Sequence, residues 1–267
     1  MIEDALQEAH IPKVNEWENY LHIVVCATEI KDHENATREL DIFLSKNYIL
    51  TYQAKTLDAV SIIWQKVQAE QLMFHNSPSR IMYYLAEEIT DRFLTFVDEL
   101  DLQIDDVENN IFINPDPLIL ENIFDIKRIL LNIRRLLSSQ REVFNKLARG
   151  DFEMINQRDK IYFRDIYDNI VRLYDITEIS RELVSGALET YLSIVNNRMN
   201  EIMKTLTIFT ALFMPLSFLT SFFGMNFFEP AFALPIWTGK FAFYVVLSIT
   251  FFTPVIMYAW IRNKKWL

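Results

Sequence analysis

The longest uncharged stretches of the chain come at its end. Thr205 to Phe223 is a run of 19 residues without a charge, and Phe241 to Ile261 is a second of 21. A 19-residue helix is about 29 Å long, the thickness of bilayer hydrocarbon. Nothing else in the chain is uncharged for so long, so the pattern predicts two membrane spans in the last quarter. Upstream, Tyr20 to Val25 and Tyr48 to Tyr52 are rich in β-branched and aromatic residues, with Leu40 to Leu44 between them. These runs predict about three strands, with a helix over Leu57 to Val67. Before them the chain opens on helix-like sequence with no strand, so the sheet is expected to lack members upstream.

From Pro78 the pattern is almost wholly helical. Ile81 to Phe112 carries nine acidic residues between Glu87 and Glu108 against the single base Arg92. Asn114-Pro115-Asp116-Pro117 breaks it, and Leu118 to Arg149 follows with seven bases, among them Lys127, Arg128, Arg134 and Arg135. An acidic helix joined to a basic one by a proline turn predicts an antiparallel hairpin with complementary faces. The acidic string Asp98 to Glu108 is no calcium loop, since it lacks the central glycine and the ligand spacing and lies within a helical pattern. A third helical segment starts near Asp159 and meets no proline until Pro215. It reads as one helix of about 98 Å that runs from a stalk into the first span.

Alternating steps of three and four along that segment trace a single face. The face reads Glu182, Gly186, Glu189, Ser193, Asn196, Asn200, Met203, Thr207, Thr210, Met214, Ser217, Ser221, Gly224. Small and hydroxylated residues inside a bilayer face other helices or a water path, so the stripe signals close packing or a pore. Two spans cannot enclose a pore, which on the second reading requires several copies around an axis. Met203, Leu206 and Met214 then form apolar rings that close by dewetting.

Charge sharpens the picture. Residues 201–267 hold five bases and two acids, a local charge of +3, so the first 200 residues carry −13 of the net −10. That balance argues against nucleic acid and for cations as partners. Arg262, Lys264 and Lys265 follow the second span, Arg198 and Lys204 precede the first, and residues 224–240 carry only Lys240 against Glu229. The positive-inside tendency puts both termini in the cytoplasm. Trp237, Tyr258, Trp260 and Trp266 are suited to anchor the interface. The N-terminus shows no signal peptide, and the single cysteine, Cys26, suits a reducing compartment. His10, His22, His33 and His75 have no metal-ligand spacing, and there is no glycine-rich phosphate loop, so neither an enzyme nor an ATP-driven pump is indicated. The stripe holds no ionisable group within the span. Hydroxyls and amides serve a hydrated cation, and Mg2+ gives up its water reluctantly.

Phe223-Gly224-Met225-Asn226-Phe227 between two C-terminal spans, with a Lys264-Lys265-Trp266-Leu267 terminus, resembles the CorA family of magnesium channels. Asn200 to Ser217 and Tyr162-Phe163-Arg164-Asp165-Ile166-Tyr167-Asp168 extend the resemblance over essentially the whole chain. It implies a homopentamer in the plasma (inner) membrane that passes Mg2+, with Co2+ or Ni2+ as further cargo. Gly224, Met225 and Asn226 would be the selectivity filter. Asn200, Met203, Leu206, Thr210, Met214 and Ser217 match pore-lining positions, which Thr207 and Ser221 join through the stripe, and Glu189 falls where the family has an acidic ring. Thr210 and Ser217 are themselves substitutions within the family's stripe. Asp165 matches an aspartate that holds regulatory Mg2+ between subunits, with a partner expected from Glu29, Asp32 or Glu34. Two departures stand out: several dozen residues usually precede the point matched by Ile2-Glu3-Asp4, and the loop after Asn226 has one acid, Glu229. A zinc transporter of the same superfamily is the nearer alternative, although Met225 is retained; a membrane-anchored coiled coil without transport is the other.

The expected organisation is a mainly α-helical membrane protein: a partial cytosolic α/β domain (1–77), a helical hairpin (78–150), a stalk (151–204), a pore-lining span (205–223), an external loop with the filter (224–240), a second span (241–261) and a basic tail (262–267).

Overall fold

The computed structural model describes residues 11–28, 37–69, 77–150, 152–224 and 240–263. They fall into two compact units, Met1–Tyr191 and Leu192–Leu267. The first begins with an antiparallel meander: β1 (Lys13–Trp17), β2 (Tyr20–Thr28), β3 (Thr37–Leu44) and β4 (Ile49–Tyr52), in spatial order β1-β2-β3-β4. Four strands stand where the hydrophobic pattern predicted about three. The extra one, Lys-Val-Asn-Glu-Trp, is a half-exposed edge whose side chains carry almost no apolar alternation. Its place is fixed by backbone pairing to β2, from Trp17 opposite Tyr20 to Lys13 opposite Val24. The expected helix-like opening falls in residues 1–10, outside the described residues.

Strand β2 is buried on both faces, which is why it reads as a continuous apolar run. His22 lies in that interior with its Nε2 2.7 Å from the Asp41 carboxylate and its ring stacked on Phe43 at 4.7 Å. The pair satisfies two polar groups that would be costly to bury singly. Strand β1 ends opposite Val24, and the N–H of Cys26, two residues on, donates instead to the side-chain oxygen of Gln140 at 3.3 Å. Burial pushes the Cys26 thiol up to about 12, with the charge of Glu39 adding to it, so this cysteine packs rather than reacts.

Helix α1 (Asp58–Gln68) precedes the long pair α2 (Pro78–Ile113) and α3 (Pro117–Arg149). Both long helices start with a side-chain cap and a proline in the first turn. Ser77 Oγ accepts from the N–H of Ser79, and Asp116 Oδ1 from the N–H of Leu118. Gly150 ends α3 at φ 69°, a conformation in which a Cβ would also meet the Lys160 side chain. Helix α4 (Lys160–Gly224) is continuous for 65 residues, and α5 (Lys240–Asn263) closes the chain. The buried residues of α4 run Phe163, Ile166, Ile170, Leu173, Thr177, Ser180, Val184, Ala187 and Tyr191. These strict steps of three and four make a single seam.

Polar locks fix that seam in register. Ser79 donates to Asp159, Arg80 lies 3.8 Å from the same carboxylate, and the Arg80 guanidinium stacks over Tyr162 at 3.7 Å. Two-thirds of the way along α2, Asp101 accepts from Ser180 at 2.6 Å. Both contacts link residues about 80 positions apart, so α2 and α4 run parallel. From α3, Arg134 reaches Glu178 on α4 at 2.6 Å, while Arg134 and Arg141 lie over Tyr174.

The hairpin corrects one expectation. Among the described residues no ion pair joins α2 to α3; beyond Arg80–Asp159 and the internal Arg92–Glu88, the charged partners of α2 lie on α1, in Lys66–Glu88 and Arg92–Asp58. Helix α3 lines its groove with α2 using Asn122, Asp125, Ile129 and Asn132, opposite Leu102, Gln103 and Asp106. Lys127, Arg128 and Arg135 line the same groove without an ion pair to α2, while Arg134 and Arg141 turn to Tyr174 on α4. Counting charge along the sequence could not show this, because face is set by angle and not by number.

The second unit holds the apolar sequence. The most apolar 18-residue stretch of α4 has no buried residue, and that of α5 is 6% buried. A core helix of a soluble protein would be covered. Here Phe209, Phe213, Phe218, Phe251 and Ile256 are all more than half exposed. Helices of this length with bare apolar surfaces match the demands of a bilayer. Pro215 and Pro254 sit inside these helices, a placement that bilayer helices tolerate better than soluble ones.

Candidate permeation path

Every member of the stripe that the structure describes lies open on α4. Glu189, Asn200, Met203, Leu206, Thr207, Thr210, Met214, Ser217, Ser221 and Gly224 are all exposed. Exposure alone does not single them out in so bare a helix; angle does. Within the span the half-covered residues are Ile208, Ala211, Leu212, Pro215, Leu216 and Leu219. At 100° per residue, this set is centred about 160° around the helix from the line Met203, Thr207, Thr210, Met214, Ser217, Ser221, Gly224. The small polar face is therefore turned opposite to the less exposed side of the helix.

The hydroxyls on that face have a defined polarity. Thr207 donates its proton to the carbonyl of Met203 at 2.7 Å, and Thr210 to that of Leu206 at 2.9 Å. Such back-bonding satisfies the hydroxyl proton inside the helix. The oxygen keeps lone pairs, so each threonine presents an acceptor to whatever lies in front of it. Thr205 and Thr220 make the same bond, to Glu201 and Leu216, from positions off the stripe. Met225 and Asn226 lie outside the described residues. Gly224 closes α4 with no atom near the position a Cβ would take.

Asp165 is exposed on the soluble stretch of α4. Across from it on α2, the Tyr83 hydroxyl donates to Glu87 at 2.6 Å, and the Tyr83 ring packs on Tyr162 at 5.0 Å. Burial first, then the hydrogen bond to Glu87 and the charges of Glu87 and Asp165, hold the Tyr83 phenol above its ordinary range. Tyr83 thus feels both Glu87 and Asp165, which sequence reading missed: nothing near Tyr83 in the chain marks its contact with Tyr162, formed across about 80 residues. No cluster of three or more acidic, histidine or cysteine side chains able to hold a metal occurs among the described residues. Glu29, Asp32 and Glu34 lie outside them.

A charged body, a helix continuing into an uncharged span, and a second bare apolar helix define a two-span membrane protein with a polar stripe along one helix face. That is the build of a membrane ion transporter. A family model described as CorA-like Mg2+ transporter protein matches residues 1–264, and the chain belongs to that family, whose members move ions and are not enzymes. The cobalt/magnesium transport protein CorA of Thermotoga maritima is 32% identical over 270 residues, covering 100% of this chain and 76% of the relative. The complete structure of the CorA magnesium transporter from Methanocaldococcus jannaschii has the same fold, with a TM-score of 0.88 over 100% of this chain and 83% of that one at 24% identity. A more distant relative, the zinc transport protein ZntB of Pectobacterium carotovorum, is 24% identical over 183 residues, or 68% of this chain and 54% of the relative.

Proposed function

We propose that the chain forms a homopentameric channel in the plasma membrane that admits Mg2+, and Co2+ or Ni2+ less selectively, down its electrochemical gradient. Both termini are cytoplasmic. The stripe of α4 from five copies surrounds the axis, and Gly224, Met225 and Asn226 form the filter at the outer mouth. The observation that carries this reading is the acceptor polarity of Thr207 and Thr210. Water bound to a divalent cation points its oxygens inward and its protons outward. A hydrated ion therefore needs a wall of acceptors, and hydroxyls whose protons are held by the helix supply one. A bare divalent ion would need carboxylates instead, and the span has none. Met203, Leu206 and Met214, each more than half exposed in one chain, supply the apolar constrictions.

Asp165 offers a carboxylate for a regulatory ion at the boundary with a neighbouring copy. An exposed carboxylate is hard oxygen chemistry that fits Mg2+ and its retained waters. Asp165→Ala is expected to raise the internal Mg2+ concentration that halves uptake by several-fold while leaving the maximal rate unchanged. An unaltered response in proteoliposomes would reduce Asp165 to a surface charge.

Cargo is settled by uptake into liposomes loaded with a metal-sensitive dye, comparing Mg2+, Co2+ and Zn2+ with and without a proton gradient. Mg2+ entry driven by membrane voltage alone is the expected result. Zn2+ entry that requires the proton gradient would replace it with the zinc reading.

A further inference from the structure

Among the described residues, three contacts bring a buried polar side chain to a carboxylate from a distant part of the chain. They differ in what their rupture would leave behind. His22 and Asp41 are both almost fully covered, so parting them strands two polar groups away from water. Just before α4, Asp159 is buried and held twice, by the Ser79 hydroxyl and the Arg80 guanidinium. The third contact is the bond from Ser180 to Asp101 at 2.6 Å. Here the carboxylate is only half-buried, and among the described residues no base meets it.

Ser180 also has a reserve acceptor. Its side chain is buried and carries one proton, yet its oxygen reaches both Asp101 at 2.6 Å and the backbone carbonyl of Ile176 at 3.1 Å. A hydroxyl donates to one partner at a time, and the nearer, charged oxygen wins. Should the helices part, the proton turns to Ile176. That is the bond Thr177, one step away on the seam, already makes to Leu173 at 2.8 Å. Asp101 meanwhile regains water. Neither group is left unsatisfied, so this contact opens without the penalty that the other two would meet.

We propose that the Ser180–Asp101 bond is a release latch that holds the middle of α4 against α2 and lets go when the path opens. Asp159 clamps the start of α4 to Ser79 and Arg80 of α2, and the polar stripe lies at the far end of the same continuous helix. Along that helix Thr207 lies roughly twice as far from Asp159 as Ser180 does. A shift of about 1 Å, enough to end a hydrogen bond at Ser180, therefore grows to about 2 Å at Thr207 as α4 swings about the clamp. The proposal rests on the channel reading given above and adds a step to its regulation. The closed latch opposes opening, in the same direction as Mg2+ at Asp165.

The test follows uptake by full-length chains in proteoliposomes against internal Mg2+. Ser180→Ala and Asp101→Asn should each raise the Mg2+ concentration that halves uptake by about threefold, with the maximal rate unchanged. Together they should do no more than either alone, because both cut one bond. Thr177→Val removes a buried hydroxyl that bonds only its own helix, and should shift nothing. No shift in either single variant while the parent is still inhibited, or an equal shift in Thr177→Val, would overturn the latch and leave the channel reading standing. Parent uptake that internal Mg2+ never reduces would remove the regulatory reading of Asp165, and a second arm then judges the latch alone. In a Cys26→Ser chain, Asp101→Cys and Ser180→Cys are joined by oxidation or a short thiol cross-linker. Uptake should fall about tenfold once they are joined and return on reduction. Joined chains that transport as fast as reduced ones, or a pair that no reagent joins, would contradict the proposal.

Discussion

Replacing Asn226 with alanine is expected to lower Mg2+ uptake by at least about tenfold while the oligomer stays intact. The side-chain amide stands two residues beyond Gly224, where α4 ends and the chain would reach the outer mouth. An amide there can bind the water shell of a cation without entering the metal's own coordination. A hydrogen bond to a charged partner contributes about 1.5–3 kcal/mol, and alanine offers nothing in its place. Even the low end of that range reaches a tenfold change in occupancy, and the proposed ring would repeat the loss in every copy. Alanine leaves the helices untouched, so native mass and melting temperature should match the parent chain. Uptake within twofold of the parent would remove Asn226 from the filter.

Thr207→Val combined with Thr210→Val is the second large effect. Valine keeps the branched shape and the helical rotamer and removes only the oxygen. Each substitution deletes an acceptor from the stripe and a back-bond to Met203 or Leu206. With about 0.5–1.5 kcal/mol per lost hydrogen bond, uptake should fall five- to tenfold or more. Thr205→Val with Thr220→Val deletes the same chemistry from other faces of the same helix. That pair should change uptake by less than about twofold. Equal losses in both pairs would mean that the threonines serve the helix backbone and not a passing ion.

Much of this architecture is legible in the chain. The spans announce themselves by the absence of charge, and the proline turn at Asn114 to Pro117 announces the hairpin, because lipid and helix geometry impose strong local rules. The long seam of α4 is likewise a property of spacing. Strand β1 was not legible: Lys13, Asn15 and Glu16 are edge residues whose position comes from pairing with β2, and backbone pairing leaves no hydrophobic signature. The charge complement of α2 and α3 was legible as composition but not as pairing: Lys127, Arg128 and Arg135 share a groove with Asp106, yet among the described residues no ion pair closes across it. The neighbourhood of Asp165 was half legible. The motif around it stands in one segment, while Tyr83 and Glu87 arrive from another helix by tertiary contact. The polarity of Thr207 and Thr210 needed coordinates, because a hydroxyl's partner cannot be read from its neighbours in sequence.

Everything functional here depends on water reaching one side of α4 inside the membrane. Single cysteines placed from Met203 to Ser221 in a Cys26→Ser chain, treated in proteoliposomes with a small charged thiol reagent, measure that directly. Labelling should peak at 203, 207, 210, 214, 217 and 221 and fall to background at 208, 211, 215 and 219. Uniform protection along the helix, or a peak on the second set of positions, would show the hydroxylated face buried against protein or lipid, with no conduit in front of it.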